Sequence, residues 1–145
     1  MSIANFNLRV YGLLIAEDKI LVTHENRGGT HMSKFPGGGL EKGEGLADCL
    51  MREFKEELNI KITVGELFYT NDFLQISAFN PADQLHSFYY HIQTEEHISE
   101  FYFQKGYTPQ PGEQIFEWLR ISEILPERDL TFPIDRIVVK KLQSP

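Results

Sequence analysis

The sequence from Gly38 to Ile60 reads Gly-Gly-Leu-Glu-Lys-Gly-Glu-Gly-Leu-Ala-Asp-Cys-Leu-Met-Arg-Glu-Phe-Lys-Glu-Glu-Leu-Asn-Ile. A glycine-rich stretch leads into a helical pattern that ends in three closely spaced carboxylates. Apolar residues recur at every fourth position and are Leu46, Leu50, Phe54 and Leu58, with Ala47 beside them. Because this spacing lines up along one face of an α-helix, it predicts a helix whose apolar stripe packs against the core.

Three glutamates, Glu53, Glu56 and Glu57, lie in the last turns of this helix. On a helical wheel, Glu57 and Glu53 border the apolar stripe at about −20° and −60° from Leu50, Glu56 lies further round, and Arg52 points away from the core. Neighbouring carboxylates repel one another, and the helix dipole disfavours anions here by roughly 0.3–1 kcal/mol each. A divalent cation would reverse both penalties, and oxygen ligands suit Mg²⁺, Mn²⁺ or Ca²⁺ better than Zn²⁺. The alternative is an acidic helix face that is simply solvated.

Three successive glycines precede the helix, in the segment Phe35-Pro-Gly-Gly-Gly-Leu-Glu41. Such a run lets the backbone adopt positive φ and approach a ligand closely. A glycine triplet alone indicates no more than a turn. Here the glycines stand at fixed distances from Glu44, Arg52 and the three glutamates, and this combination favours a ligand-binding loop and helix over a solvated acidic face.

This arrangement resembles the signature of the Nudix hydrolase family (MutT-like pyrophosphohydrolases), G-x5-E-x7-R-E-U-x-E-E-x-G-U, where U is a bulky apolar residue. The matching residues are Gly38, Glu44, Arg52, Glu53, Phe54, Glu56, Glu57 and Ile60. Phe54 is aromatic where the family more often has an aliphatic residue, and Asn59 replaces the glycine. Because asparagine tolerates left-handed backbone angles, we expect Asn59 to end the helix in that conformation. Ser33 stands where many relatives carry an aromatic residue.

The resemblance implies a divalent metal cofactor, Mg²⁺ or Mn²⁺. The metal ligands that it implies are Glu53, Glu56, Glu57 and the carbonyl of Gly37. Arg52 is expected to orient the glutamates by ion pairing, with Glu44 as a candidate partner, rather than to touch substrate. The catalytic set is thus Glu44, Arg52, Glu53 and Glu56. Glu53 is one candidate general base, and a later loop offers three others, which are Glu95, Glu96 and Glu100.

The reaction that the resemblance implies is the hydrolysis of a pyrophosphate bond in a nucleoside diphosphate linked to another moiety. Nucleotide sugars, ADP-ribose, dinucleoside polyphosphates and oxidised nucleoside triphosphates all remain open as substrates. The candidate substrate-binding residues are Arg27, Gly38 and Gly39. A second hypothesis is a non-catalytic Nudix-like domain that senses a nucleotide or metabolite, and a third is a calcium-binding or structural acidic domain.

Composition limits the other possibilities. The 145 residues, with no evident linker, predict a single domain over 1–145. The net charge of −7 argues against binding to nucleic-acid polymers or membrane surfaces. Cys49 is the only cysteine, the apolar runs are short, and no secretory signal is visible, so we expect a cytoplasmic protein. A homodimer is possible, since relatives often form one.

The remaining pattern predicts an α/β fold, and the resemblance implies the Nudix α/β/α sandwich with a mixed β-sheet between helices. Predicted strands cover residues 8–16, 20–25, 60–64, 66–70, 73–77, 86–93, 101–103 and 115–119. A short helix or turn is predicted at 122–126 and an amphipathic helix at 134–142. Residues 26–34 are predicted to be a polar loop in which His31 and Lys34 are solvent-exposed. Residues 94–113 are either a lid or further sheet.

Overall fold

A computed structural model of the chain describes residues 2–98 and 108–144, which form two compact units. The first unit comprises residues 2–12 and 37–95, and the second comprises 13–36, 96–98 and 108–144. The elements in chain order are β1 (Asn5–Ala16), β2 (Lys19–Arg27), β3 (Thr30–Lys34), β4 (Gly37–Gly39), α1 (Leu46–Leu58), β5 (Thr63–Thr70), β6 (Asp83–Gln93), β7 (Gln114–Arg120), α2 (Pro126–Asp129) and α3 (Pro133–Gln143). The predicted strand at 101–103 and the candidate base Glu100 lie outside the described residues.

The first unit contains the beginning of β1 with β4, β5, β6 and α1. β1 pairs antiparallel with β4, and β5 pairs antiparallel with β6, which lies between β1 and β5. In place of the two strands predicted at 60–64 and 66–70 there is a single strand, β5, which begins only at Thr63. β5 carries two register shifts against β6, one between Val64 and Leu67 and one between Leu67 and Tyr69. The first of these irregularities includes Gly65, a residue type that often marks a bulge in a strand.

Hydrogen bonds define both ends of the helix α1. At its start, the N–H of Gly45 donates to Oδ2 of Asp48 over 3.0 Å. At its end, Asn59 has φ 54° and ψ 38°, and its N–H donates to the carbonyl of Lys55 over 3.0 Å. The predicted left-handed turn at Asn59 is therefore confirmed.

The buried face of α1 is formed by Cys49, Leu50, Phe54 and Leu58. Ala47, predicted to join the stripe, is exposed, and the buried thiol of Cys49 faces the core in its place. The aromatic ring of Phe54 fits because Gly12 on β1 has no side chain: a β-carbon on Gly12 would lie 2.8 Å from Cε2 of Phe54. As the helical wheel predicts, Glu53 and Glu57 are half-buried and Glu56 is exposed.

The second unit is built on the end of β1 with β2, β3 and β7. The predicted first hairpin is confirmed, with Ile15 opposite Ile20 and Ala16 opposite Lys19. β2 pairs antiparallel with β3 on one side and β7 on the other. A 3₁₀ turn at Ile121–Glu123 and the short α2 occupy the region predicted as a short helix or turn. α3 begins with Pro133 in its first turn. Proline is tolerated there because the N–H groups of the first turn have no partner within the helix.

Two sequence predictions about irregular structure are wrong. Residues 26–34 are not a loop, because Thr30–Lys34 form β3 and pair with β2, which leaves only Gly28 and Gly29 at positive φ in the turn. The strand predicted at 73–77 is absent: this stretch forms a single bridge between Ile76 and Gln84, and Asn71 satisfies nearby carbonyls instead. Within the described ranges, no helix has the length and apolarity needed to cross a bilayer.

Candidate active site

The glycine triplet forms the short strand β4 rather than the loop predicted from the sequence. Its backbone pairs with β1, placing Gly37 opposite Tyr11 and Gly39 opposite Arg9. Gly37 has φ 153°, and a β-carbon there would lie 2.7 Å from Cα of Tyr11. Any other residue would therefore collide with the backbone of β1, so this glycine permits the close approach of two strands.

Gly38 serves a different purpose, because its missing side chain makes room for the carboxylate of Glu53. A β-carbon on Gly38 would lie 2.7 Å from Oε2 of Glu53 and closer still to the carboxyl carbon. The backbone of β4 and the last turns of α1 thus meet at the Glu53 carboxylate. This contact links the glycines and the glutamates, which the sequence showed only as a fixed spacing.

Arg52 is the centre of the charged groups in the first unit. Its Nε donates to Oε2 of Glu44 over 2.9 Å and its Nη2 to Oε1 over 2.7 Å, which is a bidentate pair. Nη2 also donates to the carbonyl of Gly39 over 3.2 Å. The side chain is only 23% exposed, so the prediction that Arg52 points away from the core is wrong. The side chain folds back along the helix because Glu44 and β4 offer it acceptors.

The other terminal nitrogen of Arg52 faces the helix glutamates. Nη1 donates to Oε1 of Glu53 over 2.9 Å and to Oε2 of Glu56 over 3.3 Å, and it lies 3.7 Å from Oε1 of Glu41. The side chain of Glu53 is 15% exposed, whereas Glu56 and Glu41 are 58% and 67% exposed. Because exposed ion pairs contribute little, the pairs with Glu44 and Glu53 dominate this network.

Glu44 is held ionised by its neighbours. The hydrogen bonds from Arg52, followed by the backbone N–H of Glu41, lower the pKa of Glu44 from 4.5 to about 2. The same contacts raise the pKa of Arg52, with the hydrogen bond to Glu44 as the largest cause. The two side chains therefore stay charged and paired throughout the range in which an enzyme works.

Cys49 lies under this network with its thiol fully buried. Its Sγ donates to the carbonyl of Gly39 over 3.5 Å. Burial is the largest cause that raises its pKa to about 12, and the negative charge of Glu44 adds to it. The thiol is therefore neutral and packs as a small apolar group rather than acting as a nucleophile.

Arg9 is a charged residue near this site that the sequence analysis did not single out. Its Nε donates to the hydroxyl of Tyr11 over 3.1 Å, and its guanidinium carbon lies 5.8 Å from the centre of the Tyr11 ring. Burial works to lower the pKa of Arg9, but Tyr11, Glu53 and Cys49 together raise it above its usual value. The signal in the sequence was a lone arginine within the apolar run of β1.

The residues present suit a hard divalent cation in their chemistry, since they offer carboxylate and backbone carbonyl oxygens. The space that Gly38 leaves for the Glu53 carboxylate fits the same purpose, because it lets a charged oxygen lie against β4. In the described part of the chain, however, no three acidic, histidine or cysteine side chains are arranged as a ready metal cluster. Nη1 of Arg52 contacts both Glu53 and Glu56, so their carboxylates are turned toward the arginine.

Other predicted site residues lie on β2, on β3 and after β6. Arg27 is exposed at the end of β2 in the second unit, and His31 is exposed on β3. Lys34 is 7% exposed and its Nζ lies 3.2 Å from Oε2 of Glu25, so its predicted exposure to solvent is wrong. Glu95 and Glu96 are exposed after β6.

Solved structures similar to this chain share its fold. A NUDIX hydrolase from Nitrosomonas europaea matches 94% of this chain and 87% of its own, with 22% identity and a TM-score of 0.70. A MutT NUDIX hydrolase from Burkholderia pseudomallei matches 94% of this chain and 98% of its own, with 16% identity and a TM-score of 0.68. An ADP-ribose pyrophosphatase from Streptococcus suis matches 95% of this chain and 92% of its own, with 15% identity and a TM-score of 0.59. These likenesses confirm the Nudix α/β fold, with a mixed sheet and helices.

Sequence comparison gives a narrower result. No curated protein sequence matches the chain. The family model of the NUDIX domain, in contrast, matches residues 6–142. That span includes the glycine strand, α1 and every residue that contacts Arg52. The chain therefore belongs to the Nudix family.

Proposed function

We propose that this Nudix pyrophosphohydrolase uses Mg²⁺ or Mn²⁺ to hydrolyse the pyrophosphate bond of a nucleoside diphosphate linked to another moiety. Family membership supports the enzyme class. The single observation that carries the proposal is the convergence of β4 and α1 on the Glu53 carboxylate, which Gly38 admits and Arg52 holds. A helix needed only for packing would gain nothing from this concentration of acids near its C-terminal end.

The residues that would hold the cation are Glu53, Glu56, Glu57 and the carbonyl of Gly37. When bound, a divalent cation neutralises the phosphate charge and lowers the pKa of a water molecule. Glu57 lies half-buried beside the apolar face of α1, and Glu56 lies toward solvent. Nη1 of Arg52 contacts both Glu53 and Glu56. We therefore expect cation binding to compete with those two hydrogen bonds rather than with the bidentate pair between Arg52 and Glu44.

Arg52 is a positioning residue in this proposal. Glu44 fixes one edge of its guanidinium group, and the other edge then restricts the rotamer of Glu53. Water attacks one phosphorus atom, a new P–O bond forms, the bridging P–O bond breaks, and the bridging oxygen leaves with the other phosphate. A carboxylate accepts the proton of the attacking water. Glu53 is the first candidate for that base because it is held in place, and Glu95, Glu96 and Glu100 remain alternatives.

The substrate is a small molecule in this proposal. Similar structures include an ADP-ribose pyrophosphatase and a MutT NUDIX hydrolase, so diphosphate-linked and triphosphate nucleotides both belong in the search. The net charge of −7 disfavours a nucleic-acid polymer as substrate. We propose further that residues 1–145 act as one domain in the cytoplasm, with a homodimer as a possible assembly, and that Arg27, Gly38 and Gly39 contact the substrate.

A phosphate-release screen tests the proposal. Purified protein is incubated with Mg²⁺ or Mn²⁺ and a panel of nucleotide sugars, ADP-ribose, dinucleoside polyphosphates and nucleoside triphosphates, with a phosphatase as coupling enzyme. We expect turnover of at least one compound that stops when chelator is added. Silence across the panel, together with tight nucleotide binding by calorimetry, would instead support a sensor domain. Activity that chelator leaves unchanged would contradict the metal assignment.

A further inference from the structure

Arg9 is a half-buried cation with unused hydrogen-bonding capacity. An arginine side chain carries five N–H donors. In Arg9, Nε donates to the hydroxyl of Tyr11, whereas Nη1 and Nη2 have no hydrogen-bond acceptor and no carboxylate within ion-pair distance among residues 2–98 and 108–144. These two terminal nitrogens are therefore able to donate to acceptors that a ligand supplies.

The position of Arg9 relates it to the proposed reaction site. Arg9 lies opposite Gly39 on β4, and a β-carbon on Gly39 would lie 3.2 Å from Nη1 of Arg9. The next glycine, Gly38, accommodates the carboxylate of Glu53. Successive residues of a strand face opposite sides of the sheet, so the cation and the carboxylate approach the same three-residue strand from its two sides. A β-carbon on Gly38 would displace the Glu53 carboxylate, and one on Gly39 would press against Nη1 of Arg9.

The tyrosine partner gives Arg9 a fixed direction. The hydrogen bond to the Tyr11 hydroxyl holds Nε, and the guanidinium carbon lies 5.8 Å from the centre of the Tyr11 ring. Tyr11 in turn packs against Tyr89 with ring centres 5.1 Å apart, and Tyr89 is 1% exposed. A fork of donors that is anchored at one edge and open at the other suits the oxygens of a phosphate group better than a single point charge does.

We propose that Arg9 binds a phosphate group of the substrate, at the side of β4 that faces away from Glu53. This inference rests on the proposed function, because it assigns a contact to the same substrate. Nη1 and Nη2 would donate to two oxygens of one phosphate group of that substrate. Tyr11 is a positioning residue, since it acts only through Nε of Arg9.

Calorimetry with methylenediphosphonate, a non-hydrolysable P–C–P analogue of the P–O–P unit common to all candidate substrates, tests the contact in the presence of Mg²⁺. We expect Arg9→Met to weaken binding roughly 10- to 100-fold, because charge-assisted hydrogen bonds are lost. Arg9→Lys, which keeps the charge but not the fork, should weaken it about 3- to 10-fold. With the substrate identified by the screen, Arg9→Met should raise KM by a similar factor while kcat changes much less.

Arg120→Met is the matched control, because Arg120 pairs with Asp18 in the second unit and is 44% exposed. It should bind the probe as the wild type does. Thermal unfolding of Arg9→Met separates folding from binding, and Arg9→Lys keeps the test valid if the methionine variant does not fold. Equal affinity of wild type and both Arg9 variants would overturn the assignment of Arg9 alone. Failure of the wild type to bind the probe, with no turnover in the screen, would overturn the proposed function as well.

Discussion

The carboxylate of Glu53 occupies the space that a side chain on Gly38 would need, because a β-carbon at Gly38 would lie 2.7 Å from Oε2 of Glu53. Arg52 holds the same carboxylate, with Nη1 donating to Oε1 over 2.9 Å. A backbone strand and a guanidinium group therefore determine where this oxygen pair lies. Gly38 and Arg52 thus both determine the position of Glu53, the proposed base and metal ligand.

Replacing Gly38 with alanine should displace Glu53 and reduce activity far more than stability. We expect kcat to fall about 100-fold, because a displacement of about 1 Å is enough for such a loss. The overpacking should cost on the order of 1–3 kcal/mol in the free energy of unfolding. Steady-state kinetics and urea denaturation measure the two effects on the same preparation.

Gly45→Ala is the control for that variant. Gly45 has φ −83°, and a β-carbon there meets only Oδ2 of Asp48, at 3.2 Å. Its kcat should therefore stay within about twofold of the wild type, since it leaves the Glu53 carboxylate untouched. A Gly38→Ala protein with normal kcat would show that the position of Glu53 does not limit the reaction.

Glu44→Gln should make stability less dependent on pH in acid. The pKa of Glu44 is lowered from 4.5 to about 2 in the folded chain, chiefly by the hydrogen bonds from Arg52. The contribution of ionised Glu44 to the free energy of unfolding is thus fully present above pH 4.5 and is lost as pH falls toward 2. Urea midpoints of wild type and variant should differ most near neutral pH and converge in acid. Glu66→Gln, an exposed glutamate of the same unit, should show no such convergence.

The helix α1 was readable from the sequence because its determinants are local. The apolar spacing fixed its face, and Asn59 fixed its end. The order of exposure among the three glutamates followed from the helical wheel alone. What the wheel missed was Arg52, whose long side chain is drawn back by acceptors at Glu44 and Gly39 that lie outside the helix.

Other features were not predictable because they depend on pairing between distant segments. Thr30–Lys34 is polar in sequence, yet it becomes β3 because β2 offers it a partner. Phe73 to Ser77 looks like a strand, but the carbonyls around it are satisfied by Asn71 and by a single bridge. Arg9 could be noticed in the sequence as an arginine in an apolar strand. Only the pairing with β4 shows that it lies opposite Gly39.

Cys49 should be inert in the folded protein. Burial raises the pKa of its thiol to about 12, so only about one molecule in 10⁴ carries the reactive thiolate at pH 8. We expect the native protein to react with a disulfide reagent at least about 100-fold more slowly than the chain in concentrated guanidinium chloride. The absorbance of the thiolate released from the reagent measures the reaction rates of the native and the denatured protein. Rapid reaction of the native protein would mean that this part of α1 opens readily.

Asn59 should be replaceable by glycine with a gain in stability. It stands at φ 54°, where side chains other than asparagine and aspartate are strained. Asn59→Gly should raise the free energy of unfolding by about 0.5 kcal/mol or more, and Asn59→Ala should lower it by roughly 1 kcal/mol. The opposite signs, measured by urea denaturation, form an internal control. Equal effects would show that the turn relaxes out of the left-handed region.

Glu57→Gln tests the metal assignment most directly. The change keeps the size of a half-buried side chain and removes its charge, so the protein should fold with an unchanged circular dichroism spectrum. Turnover of the substrate found in the screen should fall on the order of 10³-fold, because a carboxylate that we propose as a cation ligand is lost. Calorimetric titration with Mn²⁺ should show weaker binding in the same variant, while Glu66→Gln should retain both properties. Near-normal turnover by a folded Glu57→Gln protein would remove Glu57 from the metal site.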